Sequence, residues 1–231
     1  SSSEEAKVLF EDFLIRGEKR LWDQELAEKM MDSILKLDPE FIFAKTRDRF
    51  GTNVENRENL LYAYENRDKV SDIEKRLIES FYEVWINGNR IKEDQILDKL
   101  VEDYPQYYQL RMWSGDIKNS LQDPKASQKR WEEALEINPK AFGAYINLAF
   151  LHFPVDNTFV MLATEDRDLN VAIDYLTKGS EIYPESSRWP RFLGNVYRAQ
   201  GDLDKALVAY EESIELIVNN EGKKPGPYGN S

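Results

Sequence analysis

Four prolines close similar phrases along the chain, and their spacing constrains the fold more than any other feature. The phrases LKLDP, VEDYP, LEINP and SEIYP end at Pro39, Pro105, Pro139 and Pro184. Proline cannot continue the interior of a helix, so each phrase predicts the end of a helix. Pro105 and Pro139 are 34 residues apart, Pro39 and Pro105 are 66 apart, and Pro139 and Pro184 are 45 apart. The spacing predicts a repeated unit of about 34 residues, interrupted once by about 11 extra residues.

The stretch GNVYRAQGDLDKALVAYEESIEL, residues 194–216, carries a recognisable pattern of small and aromatic residues. The residues that fit the pattern L-G-x2-Y…A-x3-F are Leu193, Gly194, Tyr197, Ala206 and Tyr210. This pattern on a 34-residue helix-turn-helix period resembles the tetratricopeptide repeat (TPR) family, and in particular bacterial members with degenerate N-terminal repeats. The resemblance covers residues 4–219 and is well matched only from about residue 107 onward. It implies an all-α fold, a right-handed α-solenoid of about six TPR-like hairpins.

The repeat frame predicts a single solenoid domain over residues 4–219. Its hairpins are expected at about 4–38, 40–68, 71–104, 107–138, 141–183 and 187–219. The third hairpin is degenerate, because Phe81 and Glu93 stand where small residues are expected. The extra residues form an inserted loop over 154–169 of the fifth hairpin, where Pro154 is predicted to end the first helix. The Gly/Pro-rich end, residues 220–231, is predicted to be a disordered tail.

The charge balance of the chain disfavours partners that carry phosphate. The 43 acidic and 31 basic residues give a net charge of −12, which repels nucleic-acid backbones and anionic lipid surfaces. No apolar run is long enough for a transmembrane helix, so direct membrane insertion is not expected. The compartment stays open. An exported or periplasmic bacterial location, including processing from a lipoprotein, is favoured over a cytoplasmic one because the chain begins with serines.

The residue types that catalysis and metal binding need are scarce. The chain has no cysteine and one histidine, His152, so a thiolate zinc site, a Cys-His dyad and an HExxH pair cannot be built. His152 falls at a repeat position that faces the partner helix, where a structural role is expected. The segment DRDLN resembles the start of a calcium loop, but Val171 and Thr177 replace its glycine and glutamate. The chain is therefore predicted to be no enzyme and to hold no metal or cofactor.

Proteins of the family which the chain resembles bind peptides and protein surfaces in a concave groove lined by the first helix of each repeat. The resemblance implies that positions 2, 5, 9 and 12 of this helix face the groove, on one side of the helix. In the last repeat these positions hold Arg188, Arg191, Asn195 and Arg198. Apolar residues at groove positions of earlier repeats are Ile146, Phe150, Phe153, Tyr82 and Trp85. The predicted groove has an apolar floor and an arginine-lined end.

Two interpretations are open for each of these groups. The arginines either form a solvated face paired with neighbouring acids or bind an acidic side chain or a C-terminal carboxylate through bidentate contacts. The aromatic side chains either pack between repeats or contact a ligand. The favoured function is a non-catalytic scaffold that binds a protein or peptide. The alternatives are a structural homo-oligomer formed through the uncapped last hairpin and a regulatory or targeting segment of a larger enzyme.

Overall fold

The computed structural model describes residues 3–18, 24–153 and 159–219. In these ranges the regular structure is helical throughout, with twelve α-helices, two short 3-10 helices and no strand. The chain divides into two compact units, Ser1–Ile117 and Lys118–Ser231. No described helix is both long and apolar enough to cross a membrane. The single domain over 4–219 stays a prediction, and both the expected tail at 220–231 and Pro154 lie outside the described residues.

The first unit consists of paired helices in chain order. They are α1 (Glu4–Glu18), α2 (Gln24–Leu37), α3 (Ile42–Lys45), α4 (Asn53–Glu65), α5 (Asp72–Trp85) and α6 (Arg90–Asp103), followed by α7 (Tyr108–Ser120), which ends in the second unit. A 3-10 helix, Arg67–Lys69, links α4 to α5. The core of this unit is apolar and includes Phe10, Met31 and Leu100.

The second unit continues the same arrangement. Its helices are α8 (Pro124–Ile137), α9 (Phe142–His152), α10 (Leu169–Ile182), α11 (Arg188–Gln200) and α12 (Leu203–Asn219), with a 3-10 helix at Thr164–Asp166 before α10. Its core includes Ile146, Trp189 and Val196. The predicted fold class, an all-α fold of helix-turn-helix hairpins, is confirmed.

The four repeated proline phrases do end helices. The last residues of α2, α6, α8 and α10 each lie two positions before the proline of the phrase. In two of these turns the side chain of the residue before proline forms a hydrogen bond with the backbone. Asp38 Oδ1 accepts from the backbone N–H of Glu40 at 3.1 Å, and Asn138 Oδ1 accepts from the backbone N–H of Lys140 at 3.0 Å. These side chains satisfy backbone donors of the turn that follows the helix, so in these two phrases the residue before proline helps to form the turn at which the helix ends.

Polar residues fix the starts of the following helices. Thr52 and Ser71 each form a capping box with the glutamate three residues on, at the start of α4 and α5. Asp123 caps α8, with Pro124 as the first helical residue. Each cap satisfies backbone N–H groups that the first turn cannot pair.

Small side chains allow the helices of a hairpin, and of neighbouring hairpins, to approach closely. Ala27, Ser127 and Ala172, which the repeat frame places at the small-residue position, are all buried. A Cβ added to Gly179 in α10 would lie 2.5 Å from the Trp189 ring in α11, so a larger residue there would force the tryptophan out of its place. The degenerate third hairpin instead buries Glu93, which pairs with Arg90 at 3.0 Å.

The described part of the insertion, from residue 159, is anchored to the second unit. Asn119 holds Val160 at both backbone groups: its Nδ2 donates to the carbonyl oxygen at 2.7 Å and its Oδ1 accepts from the N–H at 3.0 Å. The ring of Phe159 stacks on Trp131 with centroids 5.8 Å apart, and Leu162 is buried. The insertion therefore covers apolar side chains of α8 and α9.

Candidate protein-binding surface

One side of α11 is packed into the core, and another carries the predicted arginines. Trp189, Phe192 and Val196 are buried. Arg188, Arg191, Asn195 and Arg198 follow one another at intervals of three or four residues, which places them on one side of the helix. We call these four residues the arginine stripe. The burial pattern of α11 thus leaves the stripe beside the core rather than within it.

The stripe becomes more exposed toward the end of α11. Arg188 and Arg191 are partly buried and Arg198 is exposed. The guanidinium carbon of Arg191 lies 5.0 Å from the centre of the Phe192 ring, and burial lowers the pKa of Arg191 from its ordinary value. Arg198 makes no ion pair or side-chain hydrogen bond with any residue of the described part of the chain. The exposed end of the stripe therefore has free donors.

A hydrogen bond from α12 orients the amide of the stripe. The Tyr210 hydroxyl donates to Asn195 Oδ1 at 2.8 Å. Because this contact occupies the amide oxygen, the amide nitrogen remains as a donor. Guanidinium groups and an amide N–H beside one another suit a carboxylate, which accepts on both of its oxygens.

Three predicted floor residues are core residues in the structure. Ile146 is 0% exposed, and Phe150 and Phe153 are each 6% exposed. The Phe150 ring meets Phe192 edge-on at 4.9 Å between centroids, and Phe159 of the insertion at 5.7 Å. Side chains buried to this extent contact a ligand only if their neighbours move away. Of the two interpretations open for them, packing in the core is the one that their burial supports.

The other two predicted floor residues lie on α5, in the first unit. The Tyr82 ring stacks on that of Tyr64 with centroids 3.7 Å apart. Trp85 is 58% exposed, and the guanidinium carbon of Arg49 lies 4.7 Å from the centre of its ring. Trp85 is therefore the floor residue with the most surface left for a ligand. The repeat pattern gives no reason to select Arg49. The sequence signal that could have identified it is the presence of a basic residue at every second position, Lys45, Arg47 and Arg49, in an otherwise acidic chain.

Side chains that could hold a metal ion are present among the described residues, including the one histidine of the chain. Among them, no group of three or more His, Asp or Glu side chains is placed to hold a metal ion. His152 has a packing role: it is 6% exposed, and its Nδ1 accepts a hydrogen bond from the backbone N–H of Asp168 at 3.1 Å. Asp168 in turn caps α10 by accepting from the N–H of Asn170 at 2.8 Å.

Comparison with known proteins agrees with this description. A family model described as "Tetratricopeptide repeat" matches residues 192–217, which lie in α11 and α12. The solved "Crystal structure of MamA" is similar with a TM-score of 0.59 and 18% identity, over 78% of this chain and 97% of that one. A second, "Crystal structure of MamA protein", has a TM-score of 0.56 and 16% identity, over 79% and 92% of the two chains. A third, "MamA MSR-1 C2", has a TM-score of 0.53 and 19% identity, over 78% and 93%.

No curated protein sequence matches the chain. At identities of 16–19%, the similarity to the solved structures shows a shared fold and no more. The last hairpin of this chain carries the sequence pattern of a tetratricopeptide repeat. The chain therefore contains a tetratricopeptide repeat at residues 192–217, and its fold is similar to that of the solved MamA structures.

Proposed function

We propose that this chain is a non-catalytic protein-interaction scaffold whose arginine stripe binds an acidic side chain or a C-terminal carboxylate of a partner. The observation that carries the proposal is the placement of three guanidinium groups and an oriented amide along the side of α11 that the core does not use. Such a local concentration of positive charge contrasts with the net charge of −12 for the whole chain.

The stripe supplies selectivity and part of the affinity. A charge-assisted hydrogen bond contributes about 1.5–3 kcal/mol, so two such contacts reach about 3–6 kcal/mol. That corresponds to dissociation constants from several millimolar to tens of micromolar, roughly. A tighter complex therefore needs further contacts on the surface next to the stripe, as in other protein interfaces, where few residues carry most of the energy.

A comparison of three bait proteins tests the proposal. The wild type, an Arg191→Ala/Arg198→Ala variant and a Lys129→Ala/Lys140→Ala variant are used to retain partners, and the affinity of each retained partner is then measured by calorimetry. Lys129 and Lys140 are exposed cations on other surfaces of the second unit, so the control loses the same charge. We expect the arginine variant to bind at least about tenfold more weakly and the lysine variant to bind normally. Unchanged affinity in the arginine variant contradicts the proposal.

The chemical form of the bound group is a second question for the same assay. A partner peptide that ends in a free carboxylate is compared with the same peptide as its amide. A large loss on amidation indicates a C-terminal carboxylate, and a loss only when an internal Asp or Glu is neutralised indicates an acidic side chain.

A second candidate function, a structural homo-oligomer, is favoured by an exposed apolar row on α12. The row consists of Leu203, Leu207, Ile214 and Val218, which are 65%, 59%, 60% and 53% exposed. Their spacing places them on one side of the helix, away from the buried Ala206, Ala209 and Ser213. Sedimentation of the wild type and of a Leu207→Glu/Ile214→Glu variant tests this function. A wild type that stays monomeric at high concentration excludes it.

A further inference from the structure

A guanidinium group is held between aromatic rings in the first unit. Arg47 lies on the segment between α3 and α4, and its guanidinium carbon is 4.7 Å from the ring centres of both Phe81 on α5 and Trp113 on α7. A third ring, that of Phe43, lies at 5.9 Å. Contacts of this kind attract the cation and fix the plane of its guanidinium group.

Arg47 has no polar partner for its side chain. Its Nε is buried and makes no hydrogen bond. Among the described residues, the side chain makes no other hydrogen bond and no ion pair. The two terminal nitrogens are not among the buried atoms that lack a partner, and the residue as a whole is partly exposed. The aromatic rings therefore hold a cation whose outer donors are unused.

A second arginine packs on an aromatic ring of the same helix, α5. The Arg49 side chain is exposed, and its guanidinium carbon is 4.7 Å from the ring centre of Trp85, one turn after Phe81 on α5. Burial, followed by the positive charge of Arg49, lowers the pKa of Arg47 to about 10. Both groups thus stay charged at neutral pH, and they repel one another.

The acid between the two arginines is engaged elsewhere. Asp48 Oδ2 accepts from Asn59 Nδ2 at 3.0 Å, and its Oδ1 accepts from the backbone N–H of Phe50 at 3.4 Å. Burial lowers the pKa of Arg49, and the negative charge of Asp48 offsets part of this effect, but Asp48 forms no ion pair with either arginine. Two like charges on aromatic faces, with no carboxylate bound to them, are unfavourable for the unliganded protein.

We propose that Arg47 and Arg49 form a second binding site, for a carboxylate of an acidic protein segment. The carboxylate accepts from the outer nitrogens of the two guanidinium groups and relieves their mutual repulsion. The exposed ring of Trp85 then packs against the side chain next to the carboxylate. This site depends on the proposed function only in that its ligand is a protein, because none of its residues belongs to the arginine stripe.

The surroundings favour a carboxylate over a polyphosphate ligand. A carboxylate brings one negative charge to a protein of net charge −12, whereas a nucleic acid brings many and is repelled as a whole. Planar guanidinium groups fixed by rings match the plane of a carboxylate in bidentate contacts. Aromatic walls also suit a segment in which acidic and apolar residues alternate.

The test uses the whole chain with arginine side chains labelled for NMR. The probe is the blocked peptide acetyl-Glu-Leu-Glu-Leu-Glu-amide, and its control replaces each glutamate by glutamine. We expect the acidic peptide to shift the Nε–H signals of Arg47 and Arg49, and the glutamine peptide to leave them in place. Arg47→Gln and Arg49→Gln should each weaken binding by about tenfold or more. Arg57→Gln, at an exposed arginine of α4, should not change it.

Three results would overturn the proposal. The first is that the glutamine peptide binds as well as the acidic one. The second is that Arg57→Gln weakens binding as much as the other two substitutions, which indicates general charge attraction. The third is that inorganic phosphate displaces the peptide at equal concentration, which indicates a phosphoryl site. Circular dichroism confirms that each variant is folded. If Arg47→Gln does not fold, the binding measured for Arg49→Gln, at the exposed arginine, decides the test. The variants leave the arginine stripe intact, so failure here does not bear on the proposed function.

Discussion

Gly194 in α11 lies against the ring of Tyr210 in α12, so closely that a Cβ at position 194 would stand 2.6 Å from Tyr210 Cε1. The same tyrosine donates its hydroxyl to Asn195, the next residue of α11. One aromatic side chain therefore sets the distance between the two helices and orients a residue of the arginine stripe. Tyr210 therefore contributes both to the packing of the last hairpin and to its proposed binding surface.

Gly194→Ala is expected to destabilise the protein by about 1–2 kcal/mol. Alanine favours the helix by up to about 1 kcal/mol, but its Cβ forces the Tyr210 ring or the backbone to move, at a typical cost of about 1–3 kcal/mol. Urea denaturation of the wild type and the variant measures the difference. A second substitution, Tyr210→Leu, should recover part of the loss in the Gly194→Ala background. A more stable Gly194→Ala protein contradicts the close approach.

Tyr210→Phe is expected to leave the fold intact and to weaken binding at the arginine stripe. The phenyl ring still fills the space above Gly194, while the Asn195 oxygen loses its donor. The amide is then free to turn, and a loss of about threefold to tenfold in affinity is expected for one net hydrogen bond. Calorimetry with the retained partner measures it. Tyr197→Phe serves as the control, because among the described residues the Tyr197 hydroxyl makes no hydrogen bond to the stripe, and this variant should bind normally.

Asn119→Ala is expected to loosen the insertion of the fifth hairpin. The asparagine is bonded to both backbone groups of Val160, and its loss leaves a partly buried donor and acceptor unpaired, at about 1–3 kcal/mol. Limited proteolysis should cut residues 159–168 faster in the variant. Asn119→Asp keeps the acceptor but loses the donor, so its cleavage rate should fall between the two. Equal rates for all three proteins contradict the anchoring role.

The helical repeat could be predicted from the sequence because its signals are local. A proline after a helix acts within a few residues, and so do small residues at fixed spacing. The burial of Ala27, Ser127 and Ala172 follows directly from their position in the repeat. Neither kind of signal depends on contacts with residues that are distant along the chain.

The surfaces could not be predicted as well, because exposure depends on contacts between distant segments. Phe150 has the spacing of a groove residue, but the rings of Phe159 and Phe192 cover it. The insertion that supplies Phe159 has no counterpart in the repeat pattern. The position of Arg47 likewise depends on rings from α5 and α7, and nothing within its own segment indicates them.

The only histidine of the chain gives the last prediction, a pH dependence of stability. Burial lowers the pKa of His152, and the negative charges of Asp168 and Glu132 offset only part of this effect. One contact and one missing contact agree with this direction. Nδ1 accepts from the Asp168 N–H, so it cannot bind a proton without losing that hydrogen bond. Nε2 is buried and has no partner among the described residues, so a charge on the ring would not be stabilised there.

The sign follows from the two states of the protein. With a pKa below the ordinary 6.5 in the folded state, the unfolded chain binds more protons as the pH falls through this value, so stability decreases. Between pH 7.5 and 5.5 we expect the free energy of unfolding to fall with decreasing pH, with a slope below the limit of about 1.4 kcal/mol per pH unit for one proton. His152→Gln keeps an acceptor but cannot titrate, so its stability should be flatter over the same range. Urea denaturation at several pH values measures both, and identical slopes for the two proteins would assign the pH dependence to other groups.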